Sequence, residues 1–371
     1  MSATPLVDVE NVRTRVDAVL ADHVEALRAR LAQTSPDAAP LADAVEQMLS
    51  GGKRLRAAFC YWAWRAHGGE PASPAAETVV RVGAALELFQ AAALFHDDVM
   101  DDSDTRRGLP AAHRAFATRH EAEGWAGDPR RFGDSAAILL GDLALVVSEE
   151  AFAAAIAGEA PGLAARARAV FDLMRAEVTV GQYLDVLAQA LPWGEDPAAD
   201  EARAREVVRA KSARYSVEHP LALGTTLAGA RPDQVAAVRA IGLPLGEAFQ
   251  LRDDLLGVFG DPGATGKPAG DDLLEGKRTV LVARAVARAR AAGDDAIVAV
   301  VRDQLGRRDL PAEAVQALAD AIESTGAPQD VETLITALSD QAFAGLEALD
   351  VTEQGRQMLV ALGHAAVDRR A

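Results

Sequence analysis

The residues of this 371-residue chain best suited to chemistry are carboxylates that arrive in groups. His96-Asp97-Asp98-Val99-Met100-Asp101-Asp102-Ser103-Asp104 follows an apolar run over 84–95 and leads into Arg106-Arg107-Gly108. At about 3.6 residues per turn, Asp97 and Asp101 share one helix face a turn apart, with Asp98 and Asp102 on the adjacent stripe. Carboxylates so paired clamp hard, oxygen-seeking cations. The plain alternative, a solvated acidic helix end, is opposed by the helix dipole and by i,i+4 repulsion. A second cluster, Phe249-Gln250-Leu251-Arg252-Asp253-Asp254-Leu255-Leu256-Gly257, closes another mostly apolar run. Facing each other across a bundle cavity with magnesium between them, the two clusters would cage an anionic diphosphate.

Cations stand at comparable places. Gly51-Gly52-Lys53-Arg54-Leu55-Arg56 reads as a glycine-rich helix opening, with Lys53 and Arg56 on one face. Exposed N–H groups and the positive helix end favour a phosphate there, although a plain turn with surface cations explains the same residues. Lys211-Ser212, Thr265-Gly266-Lys267-Pro268 and Gly276-Lys277-Arg278 add further cations, each unremarkable alone.

The elements that must position these groups are helices. Apolar residues recur at helical spacing over 12–31, 39–49, 54–66, 75–100, 135–157, 163–191 and 202–227, and again to the end. No strand is expected. Turn-forming residues cluster at 67–74, 124–133, 192–199, 229–232, 260–270, 306–311 and 325–329, all too short for domain linkers. The expected fold is all-α, one large bundle domain over 1–371, with residues 1–10 flexible and 121–134 a surface loop.

Composition narrows the classes. With 38 basic and 55 acidic residues the net charge is −17, which repels a nucleic-acid backbone. Cys60 is the only cysteine, excluding an intrachain disulfide and a multi-cysteine zinc site and fitting a reducing compartment. No uncharged apolar stretch approaches the ~18 residues of a membrane span, and no basic-then-apolar leader opens the chain, so a cytoplasmic protein is expected.

The order Gly-Gly-Lys-Arg-Leu-Arg, Asp-Asp-x-x-Asp with Arg-Arg-Gly, Gly-Gln-x-x-Asp, Lys-Ser, Phe-Gln-x-x-Asp-Asp and Thr-Gly-Lys-Pro resembles the trans-isoprenyl diphosphate synthases. The resemblance covers 40–365 and, in pattern, is nearest the bacterial geranylgeranyl diphosphate synthases. It implies a helical bundle around a deep apolar cavity, usually a homodimer, that joins isopentenyl diphosphate to an allylic diphosphate. It also implies three magnesium ions, with manganese an alternative, on Asp97, Asp101 and Asp253, supported by Asp98 and Asp254. Arg106, Lys211, Gln250 and Lys267 would hold the allylic diphosphate. Gly52, Lys53, Arg56, Gln90 and Arg107 would hold the isopentenyl head group, Gln90 replacing a histidine found in many relatives. Gln182 and Asp185 match the Gly-Gln-x-x-Asp element, and Ser212 stands where threonine is common. The main departure is Gly257, where many members carry a third acid.

Upstream of Asp97, Ala93 and Ala92 lie one turn back and Phe89 two turns back. A turn rises about 5.4 Å, close to an extended isoprene unit, so bulk at a given turn stops a growing chain there. Small Ala92 and Ala93 leave the first level open and make Phe89 the expected floor of a C20 product, although Phe89 also serves as plain core. Farnesyl and longer products are the neighbouring readings. A terpene cyclase would carry a different second motif, and a catalytically silent partner subunit would not keep both acid clusters.

Overall fold

The computed structural model of the protein describes residues 6–260 and 270–368. A short 3-10 turn, Leu6–Asn11, leads into α1 (Val12–Thr34), α2 (Ala39–Leu49), α3 (Leu55–Ala66) and α4 (Pro74–Met100). Two short strands, β1 (Thr105–Arg106) and β2 (Leu109–Pro110), pair antiparallel. They are followed by α5 (Ala112–Ala122), α6 (Pro129–Ile156), α7 (Pro161–Ala190) and α8 (Pro197–Val207). A π-helical segment, Val208–Glu218, runs on into α9 (His219–Leu227). The remaining helices are α10 (Pro232–Phe259), α11 (Asp271–Glu275), α12 (Val280–Ala292), α13 (Asp295–Gln304), α14 (Ala312–Ser324), α15 (Ala327–Ala348) and α16 (Glu353–Val367). The fold is all-α, as the periodicity requires.

The chain divides into two compact units. One comprises Met1–Phe171, Pro220–Val238 and Leu349–Leu362, the other Asp172–His219, Arg239–Ala348 and Gly363–Ala371. In the first unit α4 packs against α1, α3 and α6, and α5 lies on α6. Buried Leu86, Leu88, Phe89 and Phe95 supply much of α4's packing, each worth about 1.5–3 kcal/mol of burial. Gly83 lets α4 and α3 close up, since a Cβ there would stand 2.9 Å from Ala57 Cβ. Among the described residues α4 alone is long and apolar enough to cross a membrane, and 72% of its most apolar stretch is buried. Core packing accounts for that apolarity. In the second unit α12 packs against α8, α13, α14 and α15.

Three local features differ from the sequence expectation. The loop expected over 121–134 shrinks to 123–128, because Asp128 Oδ1 accepts from Arg130 N at 2.9 Å and Pro129 occupies the first turn of α6. The helix expected over 202–227 is interrupted by the π segment. The β1–β2 ladder is too short to show alternation, and its signal is the turn pair Arg107 (φ 54) and Gly108 (φ 76). At the start of the chain, Glu10 Oε2 accepts from Tyr61 OH at 2.7 Å and from Arg65 Nε at 3.0 Å.

Candidate active site

In the first unit the acids close α4. Asp97 and Asp98 occupy its last turn, and Asp101 caps it, its N–H donating to Asp97 O at 2.8 Å. Asp102 then adopts the left-handed conformation (φ 52), which turns the chain into the β1–β2 hairpin. The hairpin brings Arg106 back over the acids. Its Nε donates to Asp98 Oδ1 at 2.8 Å, its Nη2 bonds the same oxygen, and Nη2 lies 3.6 Å from Asp97 Oδ2. Asp98 and Asp101 are buried, 1% and 3% exposed, and for Asp98 the guanidinium offsets the cost of desolvating a carboxylate. Asp102 is braced from outside by Arg114 at 2.9 Å and Arg130 at 3.0 Å.

The basic stretch before α3 is arranged differently from its sequence reading. Gly51 (φ 72), Gly52 (φ 82) and Arg54 (φ 52) are all left-handed, so the helix starts only at Leu55. Lys53 therefore lies outside α3 and does not share a helical face with Arg56. Lys53 is exposed and Arg56 half-buried. The buried cation is Arg54, whose Nε donates to Asp17 at 2.7 Å and whose Nη2 bonds Leu49 O. Arg107 braces the same turn, donating to Met48 O at 3.0 Å and Ser50 O at 2.8 Å. Arg106, Arg107, Gly51 and Gly52 line one cavity of about 460 Å³ together with Phe95 and Phe116. Further up α4, Gln90 is half-buried, Ala93 partly exposed, and Ala92 and Phe89 buried.

In the second unit Lys211 and Ser212 lie on the π segment, half-buried. Lys211 Nζ meets Asp185 Oδ2 of α7 at 2.6 Å. Two glycines let the segment sit so close. A Cβ at Gly181 of α7 would stand 2.6 Å from Lys211 Cα, and one at Gly246 of α10 would stand 2.8 Å from Ala213 Cα. Glu177 of α7 takes a bond from Arg214 and pairs with buried His219 at 2.6 Å. Gln182 keeps a buried Nε2 with no hydrogen-bond partner among the described residues.

On α10, Gln250 Nε2 donates to Asp254 Oδ1 at 2.8 Å, so this amide orients an acid of its own cluster. Asp253 is half-buried and Asp254 is 6% exposed. Burial, with Asp272 and Asp253 close by, pushes the Asp254 carboxyl up to about 8. Asp272 lies against Gly257 and was missed in the sequence, where it is one acid of an ordinary Asp-Asp pair. Lys277 pairs with Glu275 at 2.5 Å and stands 3.4 Å from Asp272 Oδ1. Lys267 lies outside the described residues.

The family model for polyprenyl synthetase matches residues 38–319. The chain belongs to the polyprenyl synthetase family. A short chain isoprenyl diphosphate synthase of Methanothermobacter thermautotrophicus is 29% identical over 93% of this chain and 94% of its own length. The octaprenyl diphosphate synthase of Escherichia coli is 30% identical over 86% of each. The crystal structure of a Corynebacterium glutamicum geranylgeranyl pyrophosphate synthase, complexed with isoprenyl diphosphate and magnesium, superposes with a TM-score of 0.91. That likeness spans 99% of this chain and 100% of that one at 36% identity. The protein is thus an isoprenyl diphosphate synthase, a prenyltransferase. The relatives' names run from short-chain to octaprenyl, so product length must be argued from the residues of this polyprenyl synthetase itself.

Proposed function

We propose that the enzyme condenses isopentenyl diphosphate with allylic diphosphates to give C20 geranylgeranyl diphosphate, using magnesium and both acid clusters, with the two units acting as one catalytic domain. The observation that carries the product length is the pattern on α4, where small Ala92 and Ala93 precede the acids and bulky, buried Phe89 lies a turn further back. The likeness to the corynebacterial geranylgeranyl synthase supports it.

The donor set fits a divalent cation. All the acids present hard oxygen donors, and Asp254 keeps a buried Oδ2 with no hydrogen-bond partner among the described residues. Among those residues no three His, Cys, Asp or Glu side chains converge to hold an ion alone. Magnesium tolerates this, because it keeps several waters and shares protein carboxylates with substrate phosphate oxygens. Asp97, Asp101 and Asp253 would hold the ions, three in number, with Asp98 and Asp254 behind them. When bound, the metal neutralises charge developing on the departing diphosphate.

The chain's own residues do the rest. Arg106 and Lys211, each fixed by an aspartate, present positive charge to the allylic diphosphate before it leaves, so little reorganisation is needed as the bond breaks. Gln250 and Lys267 complete that set. Lys53, Arg56, Gln90, Arg107 and the turn at Gly52 hold the second diphosphate, and Gln182, Asp185 and Ser212 contribute polar side chains to substrate binding. The apolar face of α4 keeps water from the allylic cation while the homoallylic double bond attacks it. No protein base is assigned, since the released diphosphate accepts the last proton.

The enzyme works as a cytoplasmic homodimer in this reading. Exposed Leu139 and Val146 on α6, and Leu173, Val180 and Tyr183 on α7, make apolar stripes of the kind a second copy covers. The deciding experiment incubates the protein with Mg²⁺, isopentenyl diphosphate and C5, C10 or C15 allylic diphosphates, then weighs the dephosphorylated products. A C20 main product is expected. A shorter or longer one overturns the assignment of Phe89, and no elongation with any primer overturns the enzymatic reading.

A further inference from the structure

The last turn of α4 and its cap hold Asp97, Asp98 and Asp101 close together at the negative end of a helix dipole, so the turn needs restraint against its own charge. Arg106 supplies part of that restraint from the hairpin. Another part comes from α6. His96 Nε2 stands 3.1 Å from Ile138 O and 3.4 Å from Asp142 Oδ1. Both are acceptors, so Nε2 carries a ring proton and donates it towards α6. Gly141, on the same stretch of α6, opens a notch for the ring, because a Cβ there would stand 2.5 Å from His96 Cδ2 and 2.6 Å from Cε1. We infer that His96, seated in the Gly141 notch, is a positioning residue that fixes the direction of Asp97 and the acids beside it for the metal and the diphosphate.

The neighbouring side chains of α4 do little to set its rotation about its own axis. Ala91, Ala92 and Ala93 present single methyl groups, and buried Phe95 contributes apolar packing, which is non-directional. A hydrogen bond to a carbonyl selects a direction. Consecutive helix residues differ by about 100° and 1.5 Å, so a ring held at 96 fixes the heading of the side chain at 97 and of the one at 101 a turn further on. The imidazole faces α6 through Nε2, so its effect on the reaction is exerted through the acids. A displacement of about 1 Å at a reacting centre costs on the order of 100-fold in rate. A histidine that merely packed would alter stability and leave metal affinity alone.

This inference rests on the synthase reading above, and the test keeps the two apart. Mn²⁺ binding in the presence of inorganic pyrophosphate is followed by electron paramagnetic resonance for the wild type, His96→Phe, His96→Gln, Gly141→Ala and Asp97→Ala. Circular dichroism and thermal unfolding confirm the fold. His96→Phe keeps a ring in the notch without the donor, and Gly141→Ala closes the notch while keeping the donor. Each should weaken Mn²⁺ binding roughly fivefold, the equivalent of one neutral hydrogen bond, and lower kcat while leaving KM for isopentenyl diphosphate unchanged. His96→Gln, whose amide nitrogen reaches about as far as Nε2, should recover most of the loss. If Gly141→Ala does not fold, the two variants at 96 decide. Wild-type affinity in His96→Phe or in folded Gly141→Ala, beside a large loss in Asp97→Ala, would overturn the role of His96 and leave the synthase reading intact. A His96→Gln protein as weak as His96→Phe would overturn the hydrogen bond to Ile138 as the agent. Unchanged affinity in Asp97→Ala would overturn the metal cage and this inference with it.

Discussion

Lys211 Nζ and Asp185 Oδ2 stand 2.6 Å apart, joining the π segment to α7. The acid holds the ammonium in one place, which a flexible lysine stem would not otherwise keep. Asp185→Asn should raise KM for the allylic substrate about tenfold, the equivalent of roughly 1–2 kcal/mol for a charge-assisted hydrogen bond. Lys211→Met should lose more, and mainly in kcat. Steady-state kinetics with the C15 primer read both.

Asp97→Ala and Asp253→Ala should each lower kcat by at least ~100-fold, as loss of a preorganised electrostatic contribution does. Far-UV circular dichroism should stay that of the wild type. Near-normal turnover in either variant sinks the metal-cage assignment.

Phe89→Ala should shift the main product beyond C20 and cost about 3–5 kcal/mol of stability, because the ring is only 4% exposed. Product masses and thermal unfolding are measured on the same preparation. An unchanged product with the expected destabilisation makes Phe89 a core residue and nothing more.

His219 is fully buried, and burial pulls its pKa below the ordinary 6.5 even though Glu177 lies 2.6 Å away. The folded protein thus binds this proton less readily than the unfolded chain does. The stability that neutral His219 contributes is complete above about pH 6.5 and is lost as the pH falls below it. Unfolding temperatures between pH 7.5 and 5 should decline, and His219→Gln should flatten part of the decline. An equal slope in the variant assigns the loss to other groups.

Leu139, 60% exposed, and Val146, 52% exposed, stand two turns apart on α6. Light scattering should give twice the chain mass for the wild type, and Leu139→Glu/Val146→Glu should halve it. A monomeric wild type removes the homodimer.

The helices were legible because long amphipathic and alanine-rich runs leave little choice of secondary structure, and α2 begins and ends where periodicity places it. The acids at 97, 98, 101, 253 and 254 stood out for a different reason, since grouped carboxylates beside apolar helical runs are not explained by packing, although α10 continues past its pair to Phe259. The fate of the basic stretch at 51–56 was not. A left-handed Arg54 is invisible in a sequence, because arginine carries no preference for that conformation, and the buried cation there is the one the motif did not single out. Asp272 was hidden for a third reason: its partner is a glycine 15 positions earlier, and nothing local connects them.

Gly181 and Gly246 crowd the π segment from two directions, one against Lys211 and the other against Ala213. Neither glycine carries a functional group, yet a single methyl at either would act as a wedge that moves the ammonium. Evolution of this enzyme therefore meets a mechanical constraint at two places that no inventory of reactive side chains would mark. A library that randomises only the acids and cations would leave untouched the two glycines on which the seating of the π segment depends.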